Sequence, residues 1–336
     1  MEDKSLGYDP ILWDFELPLR AMYYPLGFPV EILTNSHAVL AAAEVSWGKI
    51  QQRFNERPAR ICVGVLEGTS RECPPAPICR GRSHLITNTA NAENFYTCDL
   101  RAGYAYSWLT RAAVENTAYF RDHFLEAMGL TLVAYLHTTP LHAACVEFNG
   151  QGVLLCGDSG AGKSSLAFAC AQCGWTFLSD DATSIVRKQQ GRVVIGNPQR
   201  MRFRESAVEL FPVLRQWPVT TRATGKLAIE LPTNGLSGIR TAWQAEVHHI
   251  VFLDRNSAGP PSLSPFPESA ARKWFEGEIC FGEDEVRELQ RHSLRQLLTA
   301  EISQLHYSDL DWAVERLETM VEQYAERSQN TGILVK

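Results

Sequence analysis

Residues Gly157-Asp158-Ser159-Gly160-Ala161-Gly162-Lys163-Ser164 satisfy the pattern G-x-x-x-x-G-K-[ST] in full. They stand between an apolar run, Val153–Cys156, and a helix-length segment, Lys163–Cys173. In that setting the glycines let the backbone wrap so that successive N–H groups aim at phosphate oxygens. Lys163 is placed to reach a β- or γ-phosphate, Ser164 to offer a hydroxyl to Mg²⁺, and Ser165 sits in the first helical turn. The helix adds the positive end of its dipole beneath the phosphates. The competing reading, an incidental glycine-rich turn, leaves the flanking strand and helix patterns unexplained. Residues 157–165 are therefore the candidate site for ATP with Mg²⁺.

The next apolar run, Trp175–Leu178, passes through Ser179 into Asp180-Asp181. Strand, turn, helix, strand in that order indicates an α/β unit, whose ligands bind at the carboxyl ends of its strands. Two carboxylates there can divide two tasks, because neighbours on a strand point to opposite sides. One holds metal through water, the role given to Asp180, and one accepts a proton from an attacking hydroxyl. A helix cap or turn is the plainer use of two aspartates. His142 opens a hairpin, 143–156, whose turn holds Gly150 and Gly152; by itself it reads as a core histidine. Lys226 follows a glycine and opens a strand, within reach of developing phosphoryl charge or of solvent. Arg200, Arg202 and Arg204 alternate, so a strand would put all three on one face, for an acidic peptide or phosphates. Glu205 is a further candidate metal carboxylate.

Length and charge bound the rest. At about 150 residues per domain, 336 residues suggest two domains. We place the boundary near residue 128: an α+β domain over 1–128, for substrate recognition or assembly, and a catalytic domain over 129–330. In the first, 38–54 has helical spacing, 61–66 and 83–109 read as strands, 73–82 as a loop, and 116–135 as one long helix. A net charge of −6 argues against nucleic acid as a partner. The apolar stretch 130–146 is broken by His137, Pro140 and His142, so no membrane span is expected, and the acidic opening MEDKSLGYDP is unlike a signal peptide. Nine cysteines without framework spacing read as reduced thiols of a cytoplasmic protein.

The run from His142 to Asp181 resembles the catalytic core of HPr kinase/phosphorylase. That family has a histidine, a glycine-bearing hairpin, the loop G-D-S-G-x-G-K-S, a helix and a strand ending in Asp-Asp. Here the histidine precedes the first loop glycine by 15 positions, and the aspartates follow it by 23 and 24, in agreement. The resemblance implies an α/β P-loop kinase fold related to phosphoenolpyruvate carboxykinase, and phosphorylation of a protein serine. It implies a functional His142, Asp181 as the base that takes the serine proton, Asp180 in support, and a homo-oligomer. Two departures stand out. Ser165 replaces the family's glutamate, and the signature E-I-R-G-L-G is absent. The stretch 197–205, with Thr224-Gly225-Lys226 and the ending 301–321, is similar instead to HPr-kinase-like serine kinases outside sugar regulation, some of which modify small peptides. The leading expectation is an ATP-dependent serine kinase acting on a protein or peptide. An ATP-sensing regulatory protein with little turnover is the alternative, and a small-molecule kinase the third.

Overall fold

Alternation of buried and half-buried side chains organises the first of two units in a computed structural model that describes residues 16–189, 191–221, 227–255, 259–278 and 282–330. This unit runs to Leu136 and takes in Glu283. Its strands are β1 (Leu19–Tyr23), β2 (Val30–Thr34), β3 (Ala59–Leu66), β4 (Ile78–Arg82), β5 (Leu85–Asn91), β6 (Asn94–Asp99) and β7 (Tyr104–Thr110). They form one sheet in the order β1-β2-β3-β7-β6-β5-β4. Ile32, Ile61, Val63, Ala105, Cys98 and Ile86 are buried beneath α1 (His37–Trp47), α2 (Arg111–Glu115), α3 (Thr117–Phe120) and α4 (Glu126–Leu136). Tyr96 meets Phe124, and Tyr23 meets Trp47, on that side. The opposite face carries Arg60, Tyr104, Tyr106, Phe95, Thr97 and Thr87, all half-buried. Glu283 accepts from Ser83 (2.7 Å) and from Arg101 (2.6 and 2.7 Å), contacts that hold its carboxyl down at about 2.

Three features of this unit depart from the expected elements. The segment read as one helix over 116–135 is interrupted: Asn116 caps α3 by accepting from Tyr119 N, and a π turn, Arg121–Leu125, precedes α4. The first helix ends at Trp47, with Gly48 as its cap, rather than at residue 54. Part of the expected loop 73–82 is strand β4, whose five residues are all exposed. An edge strand that buries neither face has no hydrophobic alternation for a sequence to display.

The second unit begins at His137 and holds β8 (Thr138–Leu141), β9 (Ala144–Phe148), β10 (Gln151–Cys156), α5 (Lys163–Gln172), β11 (Thr176–Ser179), β12 (Thr183–Val186) and β13 (Val193–Ile195). Then come β14 (Arg200–Phe203), β15 (Val219–Thr221), β16 (Leu227–Pro232), β17 (Arg240–Thr241), β18 (Gln244–Asp254), β19 (Ser262–Pro265), α6 (Glu268–Gly277), α7 (Asp284–Leu297), β20 (Glu301–His306) and α8 (Leu310–Asn330). A large mixed sheet runs β17-β11-β9-β10-β18-β13-β12-β8, with β20 parallel to β18, and β14, β16 and β15 form a small separate sheet. The fold is thus mixed α/β with several sheets. Every residue of β10 is buried, as expected of a strand covered on both faces. Val153 and Leu155 pack with α5, α8 and the small sheet, whereas Leu154 and Cys156 pack with α6 and α7. Among the described residues the cysteines are free, and no helix is long and apolar enough to cross a membrane.

Buried polar groups at the far end of this sheet generate a pH prediction. His249 is fully buried and bonds through Nε2 to Gln151 Oε1 (3.0 Å), while Gln151 donates to Val321 O (3.1 Å). Burial, with the neighbouring His248, Arg327 and Arg192, pulls the imidazole down to about 4. The folded state therefore binds this proton less readily than the unfolded chain. Stability is intact above the ordinary histidine value and falls as pH drops toward 4. Denaturant titrations at pH 7 and pH 5 should show the wild type losing about 2 kcal/mol more than His249→Gln over that interval.

Candidate active site

The hairpin of β9 and β10 determines which residues meet. Asn149 and Gly150 turn the chain with positive φ (51° and 76°), and β9 returns antiparallel to β10. β11 pairs antiparallel with the other edge of β9, so β10 and β11 are parallel but separated by it. The start of β9 therefore lies at the same sheet edge as the ends of β10 and β11. His142, the loop 157–162 and Asp180-Asp181 all emerge there. The two parallel strands thus finish at one edge without being neighbours.

Gly157, Gly160 and Gly162 have φ of 144°, 100° and 99°, a region that other residues rarely enter. A side chain at Gly157 would press on Ala161 Cβ (2.9 Å), and one at Gly162 would strike the Tyr307 hydroxyl. That hydroxyl also contacts Ala161 O (3.3 Å), and Arg204 donates to Ser159 Oγ (2.9 Å). The loop is thus held from outside by two side chains. Lys163 is buried and turns back into it, donating to Gly157 O (2.6 Å) and more distantly to Asp158 O (3.4 Å). Burial pulls its ammonium below the ordinary lysine value, and Asp181 is the strongest of the charges opposing that shift.

The two aspartates occupy different surroundings. Asp180 Oδ2 accepts from Arg202 N (2.5 Å), and its carbonyl faces Ser164 Oγ (3.4 Å). Burial pushes the Asp180 carboxyl up to about 6; the Arg202 N–H opposes this, and the Asp181 charge adds to it. Asp181 is open to solvent, its side chain 53% exposed, and lies 3.3 Å from Nδ1 of His142, itself 41% exposed. One carboxylate is anchored and the other is accessible, paired with a histidine.

The remaining candidates fall in several places. Arg200 (3.1 Å) and Arg202 (3.3 Å) both pair with Glu230 across the small sheet. Burial raises the Glu230 carboxyl, but the two arginines outweigh it and hold it below the ordinary range. Arg204, just past the end of the strand at Phe203, reaches the loop. Glu205 is exposed at the start of a 3-10 turn. Lys226 lies outside the described residues. Sequence reasoning passed over Tyr307, which braces the loop, and Glu278 at the end of α6, whose charge acts on Lys163 and Cys156. Neither carries a local motif; distant elements bring both to the loop.

A magnesium nucleotide can be tested against these residues. Among the described residues no group of three or more His, Cys, Asp or Glu could hold a metal ion. A protein cage is therefore not what this site offers. The Ser164 hydroxyl and the neighbouring aspartates fit an ion that keeps waters and takes phosphate oxygens, the habit of Mg²⁺. The glycine φ values and the buried amine fit a phosphate chain.

A family comparison falls on the same segment. A family model described as SynChlorMet cassette protein ScmC matches residues 128–198, which include His142, the loop and both aspartates. The chain is 33% identical over 88 residues to the HPr kinase/phosphorylase of Lactobacillus acidophilus, covering 26% of each chain. It is 37% identical over 80 residues to that of Lactobacillus delbrueckii subsp. bulgaricus, 24% of each. It is 42% identical over 60 residues to a putative HPr kinase/phosphorylase of Fusobacterium nucleatum, 18% of this chain and 10% of that one. The HPr(Ser) kinase/phosphatase structure from Coxiella burnetii aligns at 13% identity and a TM-score of 0.31, over 57% of this chain and 98% of that one. The chain thus resembles HPr kinase/phosphorylase-like proteins, and it spans about a quarter or less of the curated relatives it matches.

The raised Asp180 carboxyl gives a second prediction. At neutral pH its charge is held at a cost to the folded state, a cost that disappears as pH falls through 6 toward the ordinary carboxylate value. Asp180→Asn keeps an acceptor for Arg202 N and removes the charge. Its melting temperature should exceed wild type by a few degrees at pH 8, with the gain vanishing near pH 4 in parallel thermal scans.

Proposed function

We propose that this chain is an ATP-dependent kinase that transfers the γ-phosphoryl group to a serine hydroxyl of a protein or peptide, with the unit that begins at His137 as its catalytic domain. The observation that carries the reading is the convergence of an accessible carboxylate–histidine pair and a glycine loop with a buried amine on one sheet edge. In this reading Gly157–Ser165 cradle the triphosphate through backbone N–H groups and the dipole of α5. The Lys163 ammonium leaves the Gly157 carbonyl for the β/γ-phosphate oxygens, which offer it full negative charge. Mg²⁺, held by Ser164 and through water by Asp180, supplies neutralising charge on the phosphates.

Asp181 accepts the proton of the attacking hydroxyl. Its exposure leaves room for a polypeptide acceptor, and the 3.3 Å contact with His142 orients its carboxylate. Asp180, anchored by Arg202 N, keeps the strand end and Ser164 in register. Arg204, already on Ser159, adds positive charge at the mouth of the loop. The pairing of Arg200 and Arg202 with Glu230 fits a structural role for those two.

The test is transfer from labelled Mg²⁺-ATP to polypeptides of a cell extract, read as phosphoserine. Asp181→Asn should lower the transfer rate 10²–10⁴-fold, roughly the range for loss of a positioned base, while binding of a fluorescent ATP analogue stays within about twofold. Tight nucleotide binding with no labelled macromolecule would instead identify an ATP-sensing regulator, and label on a metabolite a small-molecule kinase.

A further inference from the structure

Strand β4 is the terminal strand of the first unit's sheet, pairing with β5 on one side only. All five of its residues, Ile78-Cys79-Arg80-Gly81-Arg82, are exposed. In an antiparallel edge strand alternate residues direct N–H and C=O away from the sheet, so β4 offers a backbone template. Ile78, Arg80 and Arg82 project from one face by the period of two. Neither arginine has an ion pair or side-chain hydrogen bond among the described residues, in contrast to Arg20 and Arg60, which both engage Glu31 on the same sheet. Ile78 is 61% exposed on that face.

Charged side chains on an edge also serve to repel unwanted strands, and this restricts what can dock. A second copy pairing antiparallel through β4 would set arginine opposite arginine, an unfavourable cross-strand contact. An incoming strand with carboxylates two residues apart has the reverse fit, and an apolar residue two positions further on would cover Ile78. We propose that β4 is a docking edge for an extended acidic segment of the polypeptide substrate, which adds to the sheet as an eighth strand with carboxylates opposite Arg80 and Arg82. This rests on the kinase reading only for the identity of the occupant as substrate. The main-chain ladder supplies affinity and the two arginines supply selectivity.

The experiment uses the full chain and a fluorescein-labelled nonapeptide of threonine residues interrupted by two glutamates two apart and a valine two positions beyond. Fluorescence anisotropy should show binding to wild type. Arg80→Glu/Arg82→Glu should weaken it at least tenfold and should favour the peptide with both glutamates replaced by lysine. N-methylation of alternate peptide nitrogens should abolish binding. Binding unaffected by the charge reversal would overturn the proposal. So would undiminished binding of the N-methylated peptide, which means charge attraction without strand pairing, or tighter binding of an oligothymidylate of equal length, which means a nucleic-acid surface. Affinity for a fluorescent ATP analogue should be the same in the double variant, since neither arginine belongs to the nucleotide loop. Peptide binding that persists in Asp181→Asn supports the docking edge independently of phosphoryl transfer.

Discussion

An antiparallel strand inserted between two parallel ones decides where the polar groups of the second unit can meet. Because β9 runs against both β10 and β11, its first residues lie where those strands finish. His142, 15 positions ahead of the glycine loop, thereby reaches Asp181, which follows that loop's helix and the next strand. Loss of the Asn149–Gly150 reversal would move the histidine to the opposite end of the sheet and leave the loop intact but alone. The full burial of β10 gives this arrangement rigidity, since two separate cores grip the strand from its two faces.

Electrostatics at that edge is a balance among groups that are each incompletely satisfied. The Lys163 amine is removed from water and contents itself with carbonyl oxygens, weaker partners than phosphate. Asp180 carries a charge that burial disfavours and a backbone N–H that favours it. Asp181 retains solvent and a histidine. At neutral pH the folded chain holds the Asp180 charge against the desolvation of its carboxyl.

The first unit contributes a different physical situation. Its sheet is covered by helices on one face, and its last strand is uncovered on both. The charges of β1 and β3 are consumed by Glu31, whereas those of β4 are not. An edge that spends no charge internally can recruit it from outside.

Much of the site was legible in the chain itself. The glycine loop and its lysine and serine are contiguous, and a turn needing positive φ at three positions admits few residues other than glycine. The hairpin was marked by Gly150, and the strand ending in Asp180-Asp181 by its apolar run. What could not be read involved contacts between distant segments or surfaces that bury nothing. Tyr307 and Glu278 approach the loop from about 120–145 residues away with no motif to announce them. Arg202 and Arg204, two residues apart, diverge because only one lies opposite Glu230 on a paired strand. Strand β4 was invisible because its pattern answers to the ladder with β5 and not to a core. Local backbone demands are written residue by residue, so the chain alone determined the glycine loop, its helix and the carboxylates. Strand order, the partners of each charge and the depth at which each is buried depend on which surfaces exclude water together, and tertiary packing alone decided those.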